Sequence, residues 1–159
     1  MNFAPKVLIS IFLLSAIVTM VFYLGLSGDF FFDDSINILQ NVRLYVQQFN
    51  IDQFIYAALS FHDGNGERAL PMLSFAIDYW RTGSMDPYAF KVTNVLIHVV
   101  TSIVMLFFLR QLFVALKWQE NQAMWGAFLL TLLWAIHPMQ VSSVLYIVQR
   151  MQTMQVLFM

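Results

Sequence analysis

Hydrophobic positions along this chain fall in long unbroken stretches rather than in short alternating ones. Residues 7–26 contain no charge, and residues 92–109 contain a single ionisable residue, His98. Residues 123–136 are apolar again. This stretch extends back toward Asn121 and carries Trp125 and Trp134 near its ends, as interfacial aromatics sit. A helix crossing the hydrocarbon core takes about 20 residues at 1.5 Å each. The pattern therefore predicts three transmembrane spans, at about 7–26, 92–109 and 121–136. A further apolar stretch from about 141 reads as the start of a fourth, although Gln149, Arg150, Gln152 and Gln155 interrupt it. Lys6 precedes the first run, but bulky Val21, Phe22, Tyr23 and Leu24 precede Gly25 and no small-x-small pattern follows. That reads as a retained anchor rather than a cleaved signal peptide.

Polar positions gather in a long loop, 27–91, and a short one, 110–122. The long loop is rich in aromatic and aliphatic residues, which is not the composition of a disordered segment. Ser35 is placed to cap a helix that starts at Ile36, with Leu39, Val42, Val46 and Phe49 following at helical spacing. Residues 51–61 form a second apolar stretch, and His62-Asp63-Gly64-Asn65-Gly66 reads as a turn. Pro71 introduces another helix over 72–81, which Gly83 ends. These apolar faces are too wide for a free loop, so the segments are expected on the membrane surface or against the bundle. The expected fold class is all-α: a polytopic transmembrane helix bundle with amphipathic helices in a long first outer loop.

Composition strengthens this reading. Hydrophobic residues make up 60% of the 159 and charged residues only 11%, where soluble domains run near half apolar and a quarter charged. The net charge of −1 offers no basic surface to nucleic acid. The absence of cysteine removes disulfides, thiolate nucleophiles and Cys-based zinc sites. Lys6 flanks the first span and Arg110 and Lys117 lie in the short loop, whereas the long loop carries eight of the nine acids. The positive-inside rule then places the amino terminus and the short loop in the cytoplasm and residues 27–91 in the periplasm or lumen. The expected setting is an integral, multi-pass protein of a bacterial inner membrane. A helix beginning near 141 has too few residues to re-cross, so 1–159 reads as the amino-terminal fragment of a longer transmembrane domain.

Several residues are candidates for chemistry. Asp33-Asp34 follows three phenylalanines just beyond the first span. The pair reads either as the acidic amino terminus of a helix or as a base or metal-binding carboxylate at the membrane surface. His137, before Pro138, sits where a helix ends, as a capping residue or as a site residue. His98, within a span, is expected to hydrogen-bond a neighbouring helix. Neither has metal-binding spacing to the other or to His62. Arg150 offers a fork suited to phosphate, or else it snorkels or pairs with Asp33 or Asp34. No nucleotide loop, dinucleotide-binding glycine pattern, serine nucleophile elbow or zincin motif is present. No span is broken by paired Gly or Pro as transporter spans are.

Five elements in order carry a family likeness: Phe32-Asp33-Asp34 with Asn41; 68–78, from Arg68 through Pro71 to Asp78; 86–98, from Asp86-Pro87 to His98; Leu133-Trp134-Ala135-Ile136-His137-Pro138; and Tyr146-Ile147-Val148-Gln149-Arg150-Met151. The chain resembles the amino-terminal part of GT-C fold membrane glycosyltransferases, closest to the branch fused to tetratricopeptide repeats, which is protein O-mannosyltransferase-like. One departure is Arg68-Ala69-Leu70 where the family often has Arg-Pro-Leu. The resemblance implies transfer of a sugar from a polyprenyl-phosphate carrier to a protein or other hydroxyl at the outer membrane face. It implies that Asp33 or Asp34 is the catalytic base or helps bind a divalent metal ion, and that Arg150 and His137 meet the donor phosphate. The implied partners are the lipid bilayer, the polyprenyl-phosphate donor and a protein acceptor, and the fragment alone is expected to be inactive. The competing expectation is a non-catalytic membrane scaffold or truncated remnant, with a transporter behind it.

Overall fold

The computed structural model describes residues 3–61 and 67–158, and within these the chain is helical with no strand. The turn expected at 62–66 lies outside the described residues. Helix α1 (Phe3–Tyr23) has 21 residues and α4 (Pro87–Ala115) has 29, or about 31 and 43 Å at the helical rise. Both are long and apolar enough to cross a membrane. Asp86 caps α4: its Oδ1 accepts from the Tyr88 N–H at 3.0 Å, and Pro87 takes the first helical position, where its missing N–H costs nothing. Helix α5 (Glu120–Ala135) matches the third expected span, but its 16 residues make only about 24 Å.

These three helices pack side by side. The Lys6 ammonium donates to Asn121 Oδ1 at 2.5 Å, and Arg110 pairs with Glu120 at 2.6 Å. That sets the start of α1, the end of α4 and the start of α5 at one end of the bundle. At the other end Lys91 of α4 reaches the Gly25 carbonyl, and the His98 ring lies between Phe22 and Trp134. The order is therefore up, down, up. Leu14, Val18, Phe22, Val95, Leu106, Met124 and Phe128 form the shared core. The outward faces stay apolar and bare: Phe12 is 71% exposed, Met20 79%, Phe108 61% and Leu133 62%. Continuous apolar surface on this scale is costly in water and suits a lipid surround.

The rest of the chain folds over the Lys91 end as a helical cap with its own core, including Ile38, Leu44, Phe54, Met72, Phe75, Phe90, Ile147 and Met151. The helix expected from Ile36 to Phe49 is not formed. One π-helical turn, Ser35–Leu39, and one 3-10 turn, Val42–Leu44, stand there instead. The break falls at Asn41, whose side chain accepts from the Arg43 N–H and donates to Ser60 Oγ at 2.8 Å, a local alternative to the helical ladder. The second stretch is helix α2 (Ile51–Ala58), capped by Asn50. Helix α3 (Ala69–Thr82) begins two residues before Pro71 and ends at Gly83, whose φ of +68° is the left-handed closure glycine permits. The stretch from about 141 consists of α6 (Gln140–Leu145) and α7 (Arg150–Leu157), helices of 6 and 8 residues with a bend between them. Both pack at the cap end.

Candidate functional site

Asp33 and Asp34 sit in a tight turn just past α1. Phe32 has φ +47°, a left-handed conformation that costs a bulky residue roughly 1 kcal/mol. Three hydrogen bonds hold it: Asp34 N–H to Phe31 O (3.1 Å), Ser35 N–H to Phe32 O (3.1 Å) and Phe31 N–H to Asp34 Oδ2 (3.0 Å). The other carboxylate oxygen, Oδ1, accepts from the Val148 N–H at 2.7 Å. Asp34 is thus buried, with a backbone donor on each oxygen. Asp33 is exposed, and among the described residues only its backbone carbonyl is engaged, by the Asn37 amide at 2.9 Å. The turn therefore holds one carboxylate inside and presents the other to solvent.

Arg150 is fully buried. Its Nη2 lies 2.7 Å from Asp78 Oδ2 and donates to the Phe90 carbonyl, also at 2.7 Å. Nε donates to Asn94 Oδ1 at 2.6 Å and Nη1 to Ser74 Oγ at 3.1 Å. The Phe75 ring lies beneath the guanidinium, 4.4 Å from its centroid. Burial pulls the Arg150 pKa down to about 10 and Asp78 opposes that, so the group stays charged at neutral pH. Asp78 is also held by Thr93 Oγ1 (2.7 Å) and Arg81 (3.2 Å). Asn94 donates to the carbonyls of Val144 and Tyr146, at 3.0 Å each. This network joins α3, α4 and the bend between α6 and α7, and it uses every nitrogen of the Arg150 fork. The ion pair weighed at the sequence level with Asp33 or Asp34 is made with Asp78.

His137 is exposed just past α5, and its Nδ1 accepts from the Met139 N–H at 3.2 Å, which leaves the proton on Nε2. His98 Nε2 lies 2.9 Å from the Ala135 carbonyl. It therefore donates to a carbonyl at the end of α5, as expected of a histidine facing a neighbouring helix. Among the described residues no three His, Cys, Asp or Glu side chains gather as metal ligands. Both Asp34 oxygens already take N–H donors, which leaves Asp33 as the carboxylate of the pair open to a ligand, too few among the described residues to hold a metal ion.

Three residues at this end carry more than the sequence reading gave them: Asp78 and Asn94, which position Arg150 and the bend, and Lys91. Lys91 is 4% exposed, at the start of α4. A lone lysine one position before an apolar span was the available signal, and it reads there only as a flanking charge.

The chain is similar to mammalian protein O-mannosyl-transferases. It is 33% identical over 141 residues to Protein O-mannosyl-transferase TMTC4 of Mus musculus, an alignment covering 82% of this chain and 19% of the relative. It is 29% identical over 153 residues to the Homo sapiens protein of the same name, covering 90% and 21%. The chain thus spans about a fifth of the length of the curated relatives it matches. No protein-family model matches it, and no solved structure matches it significantly.

Proposed function

We propose that this chain forms the acceptor-activating part of a GT-C type membrane glycosyltransferase. In this reading the enzyme moves a sugar from a polyprenyl-phosphate carrier to a protein hydroxyl at the outer membrane face. The observation that carries it is the division of labour in the Asp33-Asp34 turn. Asp34 is fixed by two backbone donors, and Asp33 stands free in solvent beside an apolar bundle. The likeness to proteins named O-mannosyl-transferases supports the reaction class.

Asp33 is assigned as the general base and Asp34 as its positioning residue. Asp33 takes the proton of the acceptor hydroxyl as its oxygen bonds to the sugar's anomeric carbon. The bond from that carbon to the carrier phosphate breaks, and the electron pair leaves with the phosphate. His137, with a free Nε2–H at the same end, is a donor that can face the phosphate. Arg150, consumed by Asp78, is assigned to holding the cap on the bundle. In this reading α1, α4 and α5 cross the membrane, local thinning of the bilayer meets the short α5, and the cap faces outward. The chain alone is expected to be inactive.

A chimera tests this. This chain replaces the matching segment of the mouse relative, and sugar transfer from polyprenyl-phosphate mannose to an acceptor protein is measured. Transfer that Asp33→Asn removes, with the chimera still folded, is the expected result. A chimera no more active than the relative lacking the segment, or an Asp33→Asn variant at full rate, would overturn the proposal.

A further inference from the structure

Lys91 is a buried lysine whose ammonium has too few acceptors. Its Nζ has three donors and among the described residues meets one acceptor, the Gly25 carbonyl, at 3.5 Å, the far limit of a hydrogen bond. The nearest carboxylates acting on it are those of Asp34 and Asp29, and neither reaches ion-pair distance. Asp34 has both oxygens occupied, and Asp29 Oδ1 accepts from the Phe30 N–H at 2.8 Å. The lysine stem is buried, but the ammonium is not walled in. It lines an open groove of about 320 Å³ between the end of α1 and α6, together with Asp29, Phe31, Ser142, Leu145 and Tyr146. The Tyr146 ring packs on Phe31 with centroids 5.5 Å apart. Its hydroxyl bonds to nothing among the described residues, and Ser142 sits exposed on the groove's edge. Val141, 48% exposed, and Leu145 line the groove too, so apolar side chains flank the cation on the side of α6.

We infer that this groove seats the phosphate of a polyprenyl-phosphate lipid, with Lys91 as the cation that holds it. The inference deepens the proposed function and rests on it for the identity of the lipid. A phosphate oxygen supplies the acceptors the ammonium lacks, and lysine binds phosphate as a point charge. The Tyr146 hydroxyl is a donor on the same groove, whereas that of Ser142 is given to the Met139 carbonyl at 3.2 Å. The isoprenoid tail leaves past Val141 and Leu145. The same-sign charge of Asp29 lies at the exposed rim, and two N–H donors temper that of Asp34. The donor phosphate then sits in the groove that Phe31 lines, two residues from Asp33. A Cβ on Gly28 would fall 2.7 Å from Lys91 Nζ, so alanine there would push the end of the lysine side chain aside.

The test is lipid retention by the purified chain in detergent, read by native mass spectrometry with three probes: a polyprenyl monophosphate, the polyprenol of the same length, and inorganic phosphate. The wild type is expected to retain the monophosphate, and Lys91→Met to lose about tenfold in affinity, the worth of one charge-assisted hydrogen bond. The polyprenol should bind both weakly and alike. Gly28→Ala keeps the charge but displaces it, and should weaken monophosphate binding several-fold. Equal retention by wild type and Lys91→Met overturns the inference. Should Lys91→Met fail to fold, unchanged binding by Gly28→Ala overturns it. Inorganic phosphate displacing the lipid at equal concentration would make the groove a soluble-anion site and overturn the lipid assignment. Binding that depends on Lys91 without transfer by the chimera would sink the enzyme reading and leave the groove standing. Transfer that depends on Asp33, with binding indifferent to Lys91, would do the reverse.

Discussion

The Val148 N–H donates to the Asp34 carboxylate at 2.7 Å, across 114 residues of sequence. That bond ties the turn after α1 to the bend before α7, and so joins the two ends of the cap.

Removing it should show in stability. Asp34→Ala leaves the Phe31 and Val148 N–H groups without their acceptor, at roughly 1–3 kcal/mol for each donor kept from water. Thermal unfolding of the chain in detergent should start at a clearly lower temperature. Asp33→Asn, at an exposed carboxylate whose side chain has no partner among the described residues, should stay within about 0.5 kcal/mol of the wild type. An equal loss in the two variants would mean that Asp33 also holds the turn.

Arg150 and Asp78 should behave as a coupled pair. Arg150→Met leaves the buried Asp78 carboxylate to Arg81 and Thr93, and breaking a buried pair costs about 3–5 kcal/mol. The double variant Arg150→Met, Asp78→Leu removes both charges and should cost less than the sum of the single changes, which a double-mutant cycle on unfolding midpoints would measure. The pH dependence has a definite sign. The folded pKa of Arg150, about 10, lies below its ordinary value. Any stabilisation from that shift appears only as pH rises through about 10, where the folded state releases its proton first. Below roughly pH 9 the group is charged in both states, so its own titration should add no slope to the wild-type midpoint between pH 6 and roughly 9.

Much of this architecture was legible where one physical signal dominates. Apolar length located α1, α4 and α5, and the Pro71 and Gly83 punctuation located α3. The stretch from Ile36 to Phe49 misleads because its apolar residues keep helical spacing while the Asn41 side chain offers the backbone another partner. The cap core then takes Ile38, Leu44 and Val46 from short turns. The partner of Arg150 was beyond reach for a different reason. Asp78 sits on α3, brought against α4 and α7 by packing, and no sequence spacing encodes that meeting. The two adjacent aspartates were legible as a pair, but which one the backbone would consume depends on Val148, on the far side of the chain.

His98 should act as a strut between helices. Its Nε2 donates to the Ala135 carbonyl at 2.9 Å, and its ring packs edge-on against Phe22 with centroids 5.4 Å apart. His98→Leu keeps much of the volume and removes the donor. The expected loss is about 1–3 kcal/mol for an unsatisfied buried carbonyl, seen as a lower unfolding temperature without loss of lipid retention in the Lys91 groove. A loss of lipid retention at full stability would instead place His98 in the site.

The final prediction concerns which way the bundle lies in the membrane. Lys6, Arg110 and Lys117 fall at the end opposite Lys91, two of them anchored to the start of α5 through Asn121 and Glu120. The acids of the cap stand at the other end, Asp33 exposed among them. Lys and Arg near span ends are retained in the cytoplasm, while acidic residues have little influence. The Lys6 end should therefore be inside and the cap outside. The chain has no cysteine, so single cysteines report without background. Gln48→Cys lies exposed on the cap and Gln119→Cys exposed between α4 and α5. In intact cells a membrane-impermeant maleimide should label position 48 and spare 119 until the membrane is opened. The opposite pattern would put Asp33 in the cytoplasm and remove it from an outer-face reaction. Labelling of both positions in intact cells would mean that α4 does not cross the bilayer, which would undo the membrane reading of the bundle itself.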